Sequence, residues 1–236
     1  MKRLQFLLFT LLAAIVLVFQ CGCDKRAQDR QACKAVFGKV VTAGKDKDGT
    51  TYASLVTASE LEKAGKIRKL ALSAKKIEFP SMPVTDRYAV LLVRLMGSKA
   101  DIKDLDDRGF VQWQVNAGLA HYNIQPEGIF SLGKITFTSD TEASGVISRA
   151  SKAKRTTEDF DEYRSVARVP TPYSFRFLLE GNQWKLDASG FGPAIEYEIK
   201  KRMKATGQPD DLAILQVLAE GTGQNVPLKI WSGMLR

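Results

Sequence analysis

The chain has 236 residues with 35 Lys and Arg against 26 Asp and Glu, a formal charge of +9, and 44% hydrophobic residues. It is long and apolar enough to bury the core of one ordinary domain. Its single His excludes a metal cluster built from several histidines.

Met1, Lys2 and Arg3 precede an apolar run from Leu4 to Phe19 that only Gln5 and Thr10 interrupt, the layout of a secretory signal. As a helix the run spans roughly 24 Å, short of a ~30 Å hydrocarbon core. Counted on to Gly22 it nears spanning length, so a retained N-terminal anchor stays open. The stretch "LVFQCGCD" at 17–24 resembles the end of a bacterial lipoprotein signal, in which a Cys behind small residues takes the lipid. The resemblance implies acylation, of the palmitate kind, at Cys23, which follows Gly22. Cys21 follows the bulkier Gln20 and fits less well. Asp24, by the same resemblance, implies retention at the inner membrane in some Gram-negative bacteria. With Cys23 acylated and Cys21 removed, Cys33 stands alone on an apolar helix stripe as a buried structural thiol. The expected division is a signal peptide or anchor over 1–22, a charged tether over 23–31 and a single α+β domain over 32–236.

Cys33, Val36, Phe37, Val40 and Val41 recur at three and four spacing, predicting an amphipathic helix from about Asp29 to Gly44. Tyr52, Leu55, Val56, Ser59 and Leu61 predict a second, broken or bent near Gly65, with Lys66 to Ala74 as its continuation. Pro80 and Pro83 bracket a loop. Thr85 caps a helix through Val90, Leu91, Val93 and Leu95 to Gly97, with a buried strand as the alternative reading of "YAVLLVRLM". Ser98 or Asp101 starts a further helix that carries Ile102, Leu105, Phe110 and Trp113 inward past Gly109 to Gly118.

The period then changes. "GIFSLGKITFTSD" and "EASGVISRA" predict two strands joined around Asp140 and Thr141. Tyr173, Phe175, Phe177 and Leu179 alternate with polar neighbours, and Gly181 and Asn182 turn the chain into a partner strand through Trp184. Pro193 opens a helix to Gly207, Asp210 or Asp211 begins another, and the apolar tail "VPLKIWSGM" packs on the body. The order predicts an α+β fold: N-terminal helices packed on a curved, mostly antiparallel sheet, with two further C-terminal helices.

The basic residues form small groups: Lys63, Lys66, Arg68 and Lys69; Arg149, Lys152, Lys154 and Arg155; Lys200, Lys201, Arg202 and Lys204. Each has acids nearby and no interleaved aromatics, so they read as solvated faces, and nucleic acid is not expected as a partner.

Helices followed by a sheet whose closing hairpin runs Tyr173 to Leu179, Gly181, Trp184, Leu186 and Asp187, preceded by "KITFTSDTEASGVI", are similar to the nuclear transport factor two-like, or cystatin-like, superfamily. The resemblance covers about Asp29 to Phe191 and implies a cone between helix and sheet. That superfamily hosts isomerases, dehydratases, binding proteins and scaffolds, so the fold does not choose among them. An enzyme of the isomerase or dehydratase type would place a proton on His121 or Asp187. A third alternative, a type IV secretion scaffold at the inner membrane, resembles this chain in joining an N-terminal hydrophobic segment to such a domain. Phe110, Trp113, Phe175, Phe177 and Trp184 are the candidates for an apolar pocket or, equally, a plain core. The reading that fits most of these features is a membrane-anchored envelope lipoprotein, its domain exported to the periplasmic side, with an accessory, ligand-binding or scaffold role. Its expected partners are the membrane, through the N-terminus, and an envelope protein or apolar small ligand; no catalytic set, metal or cofactor is expected.

Overall fold

Residues 25–119, 130–149, 174–187 and 192–234 are described by the computed structural model. The stripe of Cys33, Val40 and Val41 is buried in a helix, α1, over 25–45. It begins earlier than the periodicity predicts, and residues 25–31, expected as a tether, are part of it. Two contacts of its first turns account for this: Arg26 reaches Ser139 O at 3.0 Å and the Asp140 carboxylate, and Asp29 accepts from Trp184 Nε1 at 2.8 Å.

The predicted second helix is two, α2 (Gly49–Leu55) and α3 (Ala58–Ser73). Val56 between them is extended and bridges Leu186, while the Thr57 side chain caps α3. α3 runs through Gly65 without a break. The glycine serves packing, since a Cβ there would lie 1.9 Å from Asp107 Oδ1. A 3-10 turn (Lys76–Ser81) leads to α4 (Val84–Met96), which settles "YAVLLVRLM" as helix; it starts after Pro83 rather than at Thr85. Val90 to Leu95 are all buried, so α4 lacks the polar stripe that marks a surface helix. The next predicted helix is also divided, into a short α5 (Lys99–Ile102) capped by Ser98 and α6 (Asp107–Asn116) capped by Asp106.

Strands β1 (Phe130–Phe137), β2 (Glu142–Arg149), β3 (Ser174–Glu180) and β4 (Gln183–Asp187) form one antiparallel sheet in the order β1-β2-β3-β4. Gly181 and Asn182 both have positive φ, 57° and 64°, the conformation a two-residue hairpin turn needs. Helices α7 (Gly192–Thr206) and α8 (Asp210–Thr222) and a 3-10 turn (Leu228–Ser232) complete the chain, and Ile230 and Trp231 of the tail are buried. The fold is α+β, with the helix-then-sheet-then-helix order read from the sequence.

Two hydrophobic cores result. One joins the inner face of the sheet, Ile135, Ala143, Phe175, Phe177, Trp184 and Leu186, to α1 and α2. The other packs α3, α4, α7, α8 and the tail. Helix α6 belongs to both, turning Phe110 into the helical core and Val111 and Val115 toward the sheet. Its place is fixed at close range: a Cβ on Gly49 of α2 would lie 2.3 Å from Gln112 O, and Arg108 donates to Ala53 O at 3.1 Å.

Within the helical core Arg94 is 1% exposed. Its guanidinium donates to Ala71 O at 2.9 Å, Leu70 O at 3.3 Å and Ala74 O at the end of α3, and to Ile230 O at 3.1 Å and Trp231 O at 3.0 Å in the tail. The ring of Phe79, itself edge-on to Trp231, lies 5.2 Å away. A buried cation thus takes the unpaired carbonyls of a helix C-terminus as its acceptors. Arg87, also buried, holds α8 to α4 through Asp210 and through Asp211 at 3.1 Å. Replacing Arg94 by Met removes its hydrogen bonds to five carbonyls, of which Leu70 O keeps the bond from Ala74 N. We expect the free energy of unfolding to fall by about 3 kcal/mol or more in urea titration; a fall below about 1 kcal/mol would contradict the role given to this side chain.

Candidate functional site

The most unusual polar arrangement lies where α3 starts beside the end of β4. Thr57 donates from its backbone to Leu186 O at 3.0 Å, and its hydroxyl accepts from Glu60 N at 3.3 Å. "TASE" at 57–60 has the pattern in which the fourth residue's carboxylate would reach back to the cap's N–H. That N–H is already taken by β4, so the Glu60 carboxyl is released to hydrogen-bond Asp187. Burial first, and then the Asp187 charge and hydrogen bond, hold Glu60 above the usual carboxylate range against the opposing effect of Lys63.

Asp187 is 9% exposed and lies 3.8 Å from Arg176 Nε, which is also 3.6 Å from Glu142. Tyr52 of α2 is buried, and burial together with the Glu60 charge pushes its hydroxyl upward. Glu180 accepts from Ala58 N at 3.1 Å, placing a carboxylate at the N-terminus of α3. The cluster fastens α3 to the sheet. Among the described residues no group of three His, Cys, Asp or Glu side chains could hold a metal ion.

Of the two proton-transfer candidates, Asp187 belongs to this cluster, and His121 lies outside the described residues. The five aromatics divide between the two cores. Phe110 stacks on Trp113, with ring centroids 5.6 Å apart, in the helical core. Phe175, Phe177 and Trp184 lie in the other, where Phe37 packs on Phe175 and Phe137 on Trp184, each at 5.7 Å. Cys33 is fully buried on α1, and burial followed by the nearby Asp29 charge pushes its thiol up to about 12. Cys21 and Cys23 lie outside the described residues.

The basic groups meet local partners. Lys66 pairs with Glu62, Lys200 with Glu196, Lys201 with Glu198 and Arg202 with Glu220, while Arg68 donates to Ile102 O and Lys103 O. Lys152, Lys154 and Arg155 lie outside the described residues. No helix among the described residues is long and apolar enough to cross a membrane.

With this geometry in hand, comparison with known proteins adds no relative: no family model, curated protein or solved structure matches the chain. In the sequence Glu60 is one of the acids close to Lys63, Lys66, Arg68 and Lys69, and Tyr52 is an apolar position of the predicted second helix. The capping pattern at 57–60 marked Glu60, but only the competing bond from β4 turns it toward Asp187.

Because the folded-state pKa of Glu60 is raised, the stability it contributes is fully present below the unfolded carboxylate range and is lost as pH rises through the folded value. Glu60→Gln keeps a donor for Asp187 and removes this titration. Between about pH 4 and pH 8 the melting temperature of the parent should decline relative to that of the variant. Parallel profiles over that interval would refute the raised pKa.

Proposed function

We propose that the protein is an exported envelope lipoprotein, acylated at Cys23, whose folded body is held directly at the membrane surface in an accessory or scaffold role. The observation that carries this reading is the docking of α1. Helix is already present at Lys25, and its first turns are fixed to the sheet through Arg26 and Asp29. A lipid on Cys23 would therefore stand two residues ahead of a rigid element. Cys33 is sealed in the core, which leaves the modification to Cys23 or, with the poorer flank, Cys21. The likeness to the nuclear transport factor two-like superfamily belongs to the same proposal, supported by helices that precede an antiparallel sheet ending in an aromatic hairpin.

A scaffold suits the rest of the molecule. The candidate pocket aromatics pack into two cores, and the cluster at Glu60 and Asp187 joins helix to sheet. Intact mass of the membrane-extracted protein should give a chain starting at Cys23 with added acyl mass, lost in Cys23→Ser. An uncut chain starting at Met1 would replace the lipoprotein with a protein retained through a helix over its first residues.

A further inference from the structure

Helix α1 is the element that emerges from the proposed anchor, and its two sides differ in charge. Asp29 is the single acidic residue in 25–45, and its carboxylate is turned to Trp184. The exposed charged residues of 25–45 are therefore all cations: Lys25, Lys34, Lys39 and Lys45, and Arg30, whose guanidinium lies 5.8 Å over the Phe137 ring; no ion pair found among the described residues uses any of them. On α3 and α7, by contrast, cations sit among acids: Lys66 pairs with Glu62, Lys200 with Glu196 and Lys201 with Glu198 of the same helix, and Arg202 with Glu220 of α8.

At helical spacing Gln31, Ala35, Gly38 and Thr42 form one exposed row, with Lys34 and Lys45 along one side and Lys39 along the other. The centre of the row is small, and the space beside Gly38 is open. A low ridge bordered by exposed ammonium groups can lie flat against a plane of phosphates, with each flexible lysine reaching down past it.

We propose that this face of α1 lies against the anionic headgroups of the membrane that holds the anchor. The inference rests on the anchored reading above. Helix is present from Lys25, two residues after Cys23, so the attachment would hold that turn at the headgroup layer, and the ~31 Å from 25 to 45 carries Lys34, Lys39 and Lys45 along the surface. On an anionic leaflet each such lysine raises surface partitioning roughly fivefold, so the three together contribute on the order of 100-fold.

The test uses the full-length protein purified from membranes and reconstituted in vesicles of phosphatidylcholine, alone or with about one third phosphatidylglycerol. A nitroxide at Ala35→Cys reports on the row, and one at Ala205→Cys, exposed at the end of α7, is the control. We expect access of an aqueous nickel reagent to the Ala35 label to fall about fivefold when phosphatidylglycerol is present. Lys34→Glu, Lys39→Glu and Lys45→Glu together should restore it, with the Ala205 label accessible throughout. An Ala35 label equally accessible in both vesicles, or protection that survives the triple reversal, would overturn the proposal. Acyl mass measured on the same sample keeps the two readings apart. A protected label on an unacylated chain sinks the lipid attachment and retains the helix face; an accessible label on an acylated chain does the reverse.

Discussion

A four-stranded sheet with Phe175, Phe177, Trp184 and Ile135 on one face cannot leave that face in water, and α1 is what covers it. The apolar stripe of the helix supplies the burial, while two polar contacts fix the register. Trp184 needs an acceptor for its indole N–H and finds Asp29; Arg26 lies over the Phe137 ring at 4.6 Å while reaching the β1–β2 turn. Sliding α1 by a turn would leave both unsatisfied. The same register places the first described turn of α1, from residue 25, beside that turn of the sheet.

The second half of the molecule solves a different problem with the same residue type. The α3 C-terminus and the tail after Pro227 both turn carbonyls toward the helical core. Arg94 donates to five of them from one planar group, and Arg87 performs a related task at the start of α8 with two aspartates. α6, shared between the cores, transmits the position of one half to the other through close contacts at Gly49 and Gly65.

Regular, local features were legible in the sequence. The three and four spacing through Val40, the alternation through Phe177, the Gly181–Asn182 turn and the burial of the tail all follow from periods and turn chemistry carried by neighbouring residues. What the sequence did not disclose depends on elements far apart along the chain. Gly65 resembles a helix breaker until Asp107 is seen against it, and Val56 reads as helical until β4 draws it out as a bridge. Residues 25–31 look like a charged tether because their amphipathicity is expressed through Arg26 and Asp29, polar residues whose partners lie more than a hundred positions later. The division of the aromatics between two cores and the Glu60–Asp187 pair are of the same kind: each residue type was visible, but its neighbour was not.

Function follows from placement more than from any one side chain. On the proposed reading, a body docked to α1 from Lys25, with exposed cations on that helix and its aromatics in the cores, would sit on a membrane in a defined orientation. Neutron reflectivity of the acylated protein on a supported bilayer measures this most directly. Seven extended residues over 25–31 would allow a water-filled gap of roughly 25 Å. The docked helix predicts that protein density begins within about 10 Å of the headgroups, the reach of the few residues before Lys25. A hydrated gap of 20 Å or more, at the ~25 Å such a tether allows, would contradict it.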